Sequence, residues 1–103
     1  MSAPETVAVV VVTFDRADLL TGMLDGLAAL DRAPDAVVVV DNHSTDHTPD
    51  VLAAELARGR LPLQVVRTEE NLGGAGGFHL GLRTAYAQGW DRFWLMDDDV
   101  VLA

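Results

Sequence analysis
Val7-Ala-Val-Val-Val-Val-Thr13 is an unbroken run of small and β-branched residues in which polar and apolar positions do not alternate. A strand of that kind has to be covered on both faces, the condition of a parallel strand inside an α/β sheet. Three further runs carry a strand signal: Val37-Val-Val-Val40, Leu63-Gln-Val-Val66 and Arg92-Phe-Trp-Leu-Met96. Between the runs the period changes. After Asp15, which can cap a helix, Leu19, Leu20, Met23, Leu24 and Leu27 recur at steps of three and four and make one apolar stripe. Thr48 as cap and Pro49 at the first helical position open a second helix with Val51, Leu52, Glu55 and Leu56. Asn71 to Gly77 forms a glycine-rich connection into a third helix with Leu82 and Tyr86, closed by Gly89. Strands alternating with helices imply right-handed crossovers and an α/β fold: an open parallel sheet of about four strands with flanking helices. An order of 3-2-1-4, which local pattern alone does not dictate, would open a ligand crevice between the first and fourth strands.

The bulk properties narrow the function. A half-hydrophobic chain of 103 residues is the size of one compact domain. Seven basic against sixteen acidic residues give a formal charge of −9, which argues against nucleic acid as a partner. The absence of cysteine removes disulfides and thiolate ligands, so a bound metal should be a hard cation on oxygen, Mn2+ or Mg2+. The longest apolar stretch, Val7 to Val12, falls far short of the ~20 residues of a membrane-spanning helix. With no secretion-signal layout at the N-terminus, the expectation is a cytoplasmic protein without a transmembrane segment.

The polar clusters fall where that fold binds ligands. Thr13-Phe-Asp15, Asp41 to Asp46, the glycine-rich segment and Asp97 to Asp99 each follow the carboxyl end of a strand, so all four share one rim. Side-chain alternation sends Asp97 and Asp99 to one face and Asp98 to the other. Two carboxylates ~5 Å apart repel by roughly 3 kcal/mol at an effective dielectric of 20, a cost that a divalent cation removes. A solvated acidic turn is the plainer reading, and the apolar flanks Trp94 to Met96 and Val100 to Leu102 weigh against it. The glycine-rich segment could aim backbone amides at a phosphate or be only a tight turn. It is no dinucleotide fingerprint, because His79 stands where the third glycine belongs. Asp41 can accept a hydrogen bond from a nucleobase imide, with Asn42 and Ser44 holding the turn, or can be a turn carboxylate alone. His43 and His47 read as exposed, and Trp90, Phe93 and Trp94 as packing surface.

Taken together, the chain resembles the family 2 glycosyltransferases, which have the GT-A fold. The resemblance runs through Val9-Val-Val-Val-Thr-Phe-Asp-Arg16, Val40-Asp-Asn-His-Ser-Thr-Asp-His-Thr48 and Met96-Asp-Asp-Asp99, in that order. Asn71-Leu-Gly-Gly-Ala-Gly-Gly-Phe78 resembles the galactofuranosyltransferase and rhamnosyltransferase branch. The resemblance implies that Thr13 and Asp41 line a uracil site, and that Asn71, Gly73 and Gly74 belong to the donor site. It also implies that Asp97 and Asp98 approach the ribose, and that Asp99, with Asp97, binds Mn2+ or Mg2+. Gly77-Phe78-His79 departs from the Ala-Arg-Asn common in the family, leaving Arg16 or Arg83 as the cation for the diphosphate. The implied reaction is inverting transfer from a UDP-sugar, with UDP-galactofuranose the specific candidate, to a glycan or lipid-linked acceptor at the inner face of the plasma membrane. No catalytic base is assigned in residues 1–103, which are expected to form the nucleotide-sugar-binding N-terminal part of a transferase domain and to self-associate as a homo-oligomer through an uncovered sheet edge. Two other classes fit parts of the pattern: a phosphoryl-transfer domain of haloacid-dehalogenase type using Asp97 and Asp99, and a non-catalytic α/β interaction module.

Overall fold
The computed structural model describes residues 5–98. Its elements are β1 (Val7–Thr13), α1 (Ala17–Ala28), β2 (Ala36–Asp41), α2 (Thr48–Arg58), β3 (Leu63–Arg67), α3 (Gly73–Ala87) and β4 (Arg92–Asp97). The four strands form one parallel sheet in the order β3-β2-β1-β4, as expected. Register sets Thr13 beside Asp41, Asp41 beside Arg67 and Val12 beside Asp97, so the polar strand ends finish level with one another.

The two-residue period of the strands splits the apolar runs between two cores. Val9, Val11, Val37 and Val39 lie under Leu20, Met23, Leu24 and Leu27 of α1 and Leu52 of α2, with Met96 of β4 joining them. Ala8, Val10, Ala36 and Val38 face the other way, against Ala85 of α3. Leu19, expected in the buried stripe of α1, is 49% exposed; Ala17 is buried on that face instead.

α3 departs most from expectation. The glycines from Gly73 to Gly77 lie inside the helix rather than in a connection ahead of it, and Tyr86 points outward. Glycine costs up to about 1 kcal/mol per helical position, and contact with the sheet explains Gly77 of that run and, one turn on, Gly81. A Cβ on Gly77 would stand 2.8 Å from Val12 Cγ1, and one on Gly81 2.6 Å from Val10 Cγ1. These two glycines, four apart on one face, let the helix axis settle closer to β1 than any other residue would allow.

The helix starts also differ from expectation. Asp15 does not cap α1; it takes φ 50° and turns its carboxylate to the far loop, where Oδ1 accepts from the Thr45 amide at 2.6 Å and the Asp46 amide at 3.2 Å. Asp46 answers by accepting from the Ala17 amide at 3.3 Å and the Thr48 amide at 2.8 Å. Thr48 is thus the first residue of α2 rather than its cap, which is His47. The two helix starts are neighbours on the rim, so Asp46 serves the first amide of α1 while Asp15 serves the loop amides just ahead of α2.

An ion-pair cluster ties α1, α2 and the turn into β3. Arg60 donates to both oxygens of Glu55 at 2.8 Å and also pairs with Asp25, while Arg58 lies 3.8 Å from each acid. The Arg60 hydrogen bonds hold the Glu55 carboxyl below its ordinary value of 4.5. Because the folded pKa is the lower one, this stabilisation is complete above about pH 4.5 and disappears as pH falls through the folded value. Glu55→Gln should therefore flatten the acid limb of stability in urea melts from about pH 6 to about pH 3, relative to wild type. Parallel limbs would remove the pair from the account.

β4 pairs only with β1 among the described residues, and Trp94 and Leu95 on it are 45% and 47% exposed. No helix among the described residues is long and apolar enough to cross a membrane.

Candidate functional site
At the carboxyl rim a cleft of about 260 Å³ opens between the ends of β1 and β4 and the start of α3. Thr13, Arg16, Asn42 and Phe78 line it together with Asn71, Gly73, Gly74, Asp97 and Asp98. The topology produces this convergence. β1 has neighbours on both sides, and the crossovers leave it in opposite directions, so the loops beyond β1 and β4 diverge and leave a gap.

The floor is a three-residue network. Asp98 is 4% exposed and accepts from the Thr13 hydroxyl at 2.9 Å, and Arg16 Nη1 lies 3.3 Å from its other oxygen. Arg16 itself is half exposed, so Asp98 anchors a guanidinium whose far side faces the cleft. Asp97 is exposed where Asp98 is buried, and both line the cleft. Arg83 lies elsewhere, in an apolar groove with His79, Leu82, Tyr86 and Phe93, which leaves Arg16 as the arginine at the cleft.

Asp41 is placed beneath the cleft rather than on its wall. It is 1% exposed, and its oxygens accept from the Ser44 amide at 2.9 Å and from Arg67 Nη1 at 2.8 Å. Arg67 Nη2 also donates to the Ser44 carbonyl at 2.9 Å, so the guanidinium closes the turn that follows β2. Sequence reasoning missed Arg67, whose only signal was its place at the end of the third strand, level with Asp41.

The remaining wall is the start of α3. Asn71 Oδ1 accepts from the Gly73 amide at 2.8 Å, and Gly73 takes φ 75°, which glycine adopts without strain. The first turn of a helix exposes amides with no intrahelical acceptor, and the macrodipole makes this end electropositive. With the Gly73 amide taken by Asn71, Gly74 and the side-chain amide of Asn71 bring donors to the rim that Thr13, Asp97 and Asp98 share. Asp99, the expected metal ligand, lies outside the described residues. Of the two expected ligands only Asp97 is among the described residues, and among these no group of three histidine or acidic side chains is arranged to hold a metal.

A family model for "Glycosyl transferase family 2" matches residues 8–103. The chain is 46% identical over 100 residues to a galactofuranosyltransferase, GlfT1, of Mycolicibacterium smegmatis, covering 96% of this chain and 32% of that protein. It is 46% identical over 96 residues to GlfT1 of Mycobacterium tuberculosis, covering 92% and 31%. It therefore spans about a third of the length of the curated relatives it matches. Among solved structures, S. aureus TarS 1-349 in complex with UDP superposes with a TM-score of 0.77 at 33% identity, over 91% of this chain and 27% of that one. The mannosyltransferase PcManGT of Pyrobaculum calidifontis, in complex with GDP-Man and Mn2+, also gives 0.77, at 30% identity over 96% and 30%.

Proposed function
Because this chain belongs to glycosyl transferase family 2, we propose that its rim cleft binds the nucleoside diphosphate of a sugar donor, UDP in preference to other nucleotides. The observation that carries the reading is the meeting of Thr13, Arg16, Asp98 and the start of α3 at Gly74 in one cleft of an otherwise acidic protein. A chain of formal charge −9 repels a diphosphate at long range, so binding has to rest on local positive groups. Arg16, steered by Asp98, and the electropositive start of α3 are two such groups.

The donor set supports a hard divalent ion, Mn2+ or Mg2+, held by Asp97 with Asp99. Asp97 is an exposed carboxylate at the rim, and the chain has no thiolate to favour a softer metal. Such an ion, when bound, supplies Lewis-acid stabilisation of the departing nucleoside diphosphate. The chain's own residues orient the donor: Asp98 and Thr13 offer hydroxyl-matching groups to a ribose, and Asp41 with Arg67 builds the base end. For the whole protein the reading extends to inverting transfer from a UDP-sugar, UDP-galactofuranose by likeness to the GlfT1 relatives, to a glycan or lipid-linked acceptor. No base is assigned among residues 5–98.

Calorimetric titration with UDP tests the core of this reading. Affinity should be at least about fivefold higher with Mn2+ than with chelator, and Asp97→Ala should remove that difference. No heat and no UDP-induced shift in melting temperature, with or without Mn2+, would reject it.

A further inference from the structure
We infer that Asn42 is a positioning residue for the donor cleft, a buried side-chain amide that fixes the start of α3 against the end of β2. The inference rests on the donor-binding reading above. The sequence alone suggested that Asn42 holds the turn after Asp41, but its side chain does something else. Oδ1 accepts from the Leu72 amide at 2.8 Å and from the Thr68 hydroxyl at 3.3 Å, and Nδ2 donates to the Gly73 carbonyl at 3.0 Å. All three partners lie 26 to 31 residues away, on the segment that leads into α3. The turn itself is held by Ser44 and Arg67 on Asp41.

The contacts are matched to the amide. Asn42 is 2% exposed, so each polar end has to find a partner inside the protein, and each does. The two backbone groups it grips flank the one sharp bend in this wall, since Gly73 takes φ 75° and Leu72 precedes it. Below the bend, α3 is pressed on the sheet at Gly77, where an added Cβ would reach Asn42 Nδ2 at 3.4 Å. Gly77 therefore sets the height of the helix start above the sheet, and Asn42 sets its position along the rim. Without the amide the Leu72 amide and Gly73 carbonyl would turn to water, and the first turn of α3 would leave the place where it meets the cleft.

The test uses the full 103-residue chain as wild type, Asn42→Ala and Asn42→Asp, with amide hydrogen exchange by NMR and UDP–Mn2+ titration on each. Asn42→Ala should exchange the Leu72 amide about tenfold or more faster while the core β1 amides keep their protection, and should bind UDP about tenfold or more weakly. Asn42→Asp keeps the acceptor for Leu72 but turns a carboxylate oxygen on the Gly73 carbonyl, where the amide had donated, so it should bind UDP at least as weakly as Asn42→Ala. A role confined to general stability would move the β1 amides too. Unchanged Leu72 exchange in Asn42→Ala, or UDP affinity within twofold of wild type, overturns the inference. If wild type itself fails to bind UDP, the donor reading falls while the exchange data still judge the clamp. If Asn42→Ala does not fold, the wild-type Asn42 side-chain amide protons decide: slow exchange and a shift on adding UDP support the role, free exchange overturns it.

Discussion

Gly81→Val should lose at least ~3 kcal/mol of folding stability, a large part of what a domain of this size possesses. On helix propensity alone a substitution of this glycine would look harmless or favourable, because glycine is the poorest helix former after proline. Packing reverses the sign. A Cβ at position 81 would sit 2.6 Å from Val10 Cγ1 and 3.0 Å from Val40 Cγ2, and both valines are fully buried in the middle of the sheet. Neither can retreat, since a β-branched side chain has few rotamers and the opposite face of the sheet is packed under α1 and α2. The helix would have to lift, withdrawing Ala85 and Gly77 from the sheet with it. Gly81→Ala should show the same conflict in milder form, losing about 1–2 kcal/mol despite its better propensity. Urea unfolding of both variants is the measurement, and a Gly81→Ala protein as stable as wild type would mean that α3 is less tightly seated than described.

Asp41→Asn should weaken UDP binding by about 10- to 100-fold while leaving a cooperatively folded protein, the larger of the functional effects expected here. The substitution keeps shape and keeps an oxygen for the Ser44 amide. It removes the charge that binds Arg67 at 2.8 Å, and a lost charge-assisted hydrogen bond is worth about 1.5–3 kcal/mol, or roughly one to two decades of affinity. Two roles are compatible with the buried carboxylate: acceptor for a nucleobase imide, or anchor of the turn. UDP and CDP separate them, because cytosine has no imide hydrogen. A loss for UDP alone makes Asp41 a base reader, a loss for both makes it the holder of Arg67 and the turn, and UDP affinity within threefold of wild type removes it from the donor site.

The parts of this architecture that depend on neighbours in sequence were readable from it. Val7 to Thr13 and Val37 to Val40 announce themselves as doubly covered strands, and a polar residue at the end of each strand is enough to mark the rim. What could not be read depends on residues far apart meeting. The glycines after Asn71 look like a loop because local propensity treats glycine as a breaker, whereas Gly77 and Gly81 serve to bring the helix against Val12 and Val10, 65 and 71 positions earlier. Arg67 pairs with Asp41 only through the register of β2 and β3. Asp15 and Thr48 both carry good capping chemistry, and both lose the role to Asp46, which accepts from the Ala17 amide across the rim and from the Thr48 amide two residues on. Asp99 lies outside the described residues, so the metal assignment still rests on sequence and on likeness to a family.

The exchange of hydrogen bonds between Asp15 and Asp46 has a consequence for protein engineering. Each loop is incomplete in isolation, since Asp46 of the second loop serves the start of α1, while Asp15 of the first serves the Thr45 and Asp46 amides of the second. A chimera that imports only the connection after β2 from another transferase would orphan the Ala17 amide and leave the Asp15 carboxylate facing foreign backbone. These two connections are transplantable only as a unit, even though about thirty residues separate them along the chain.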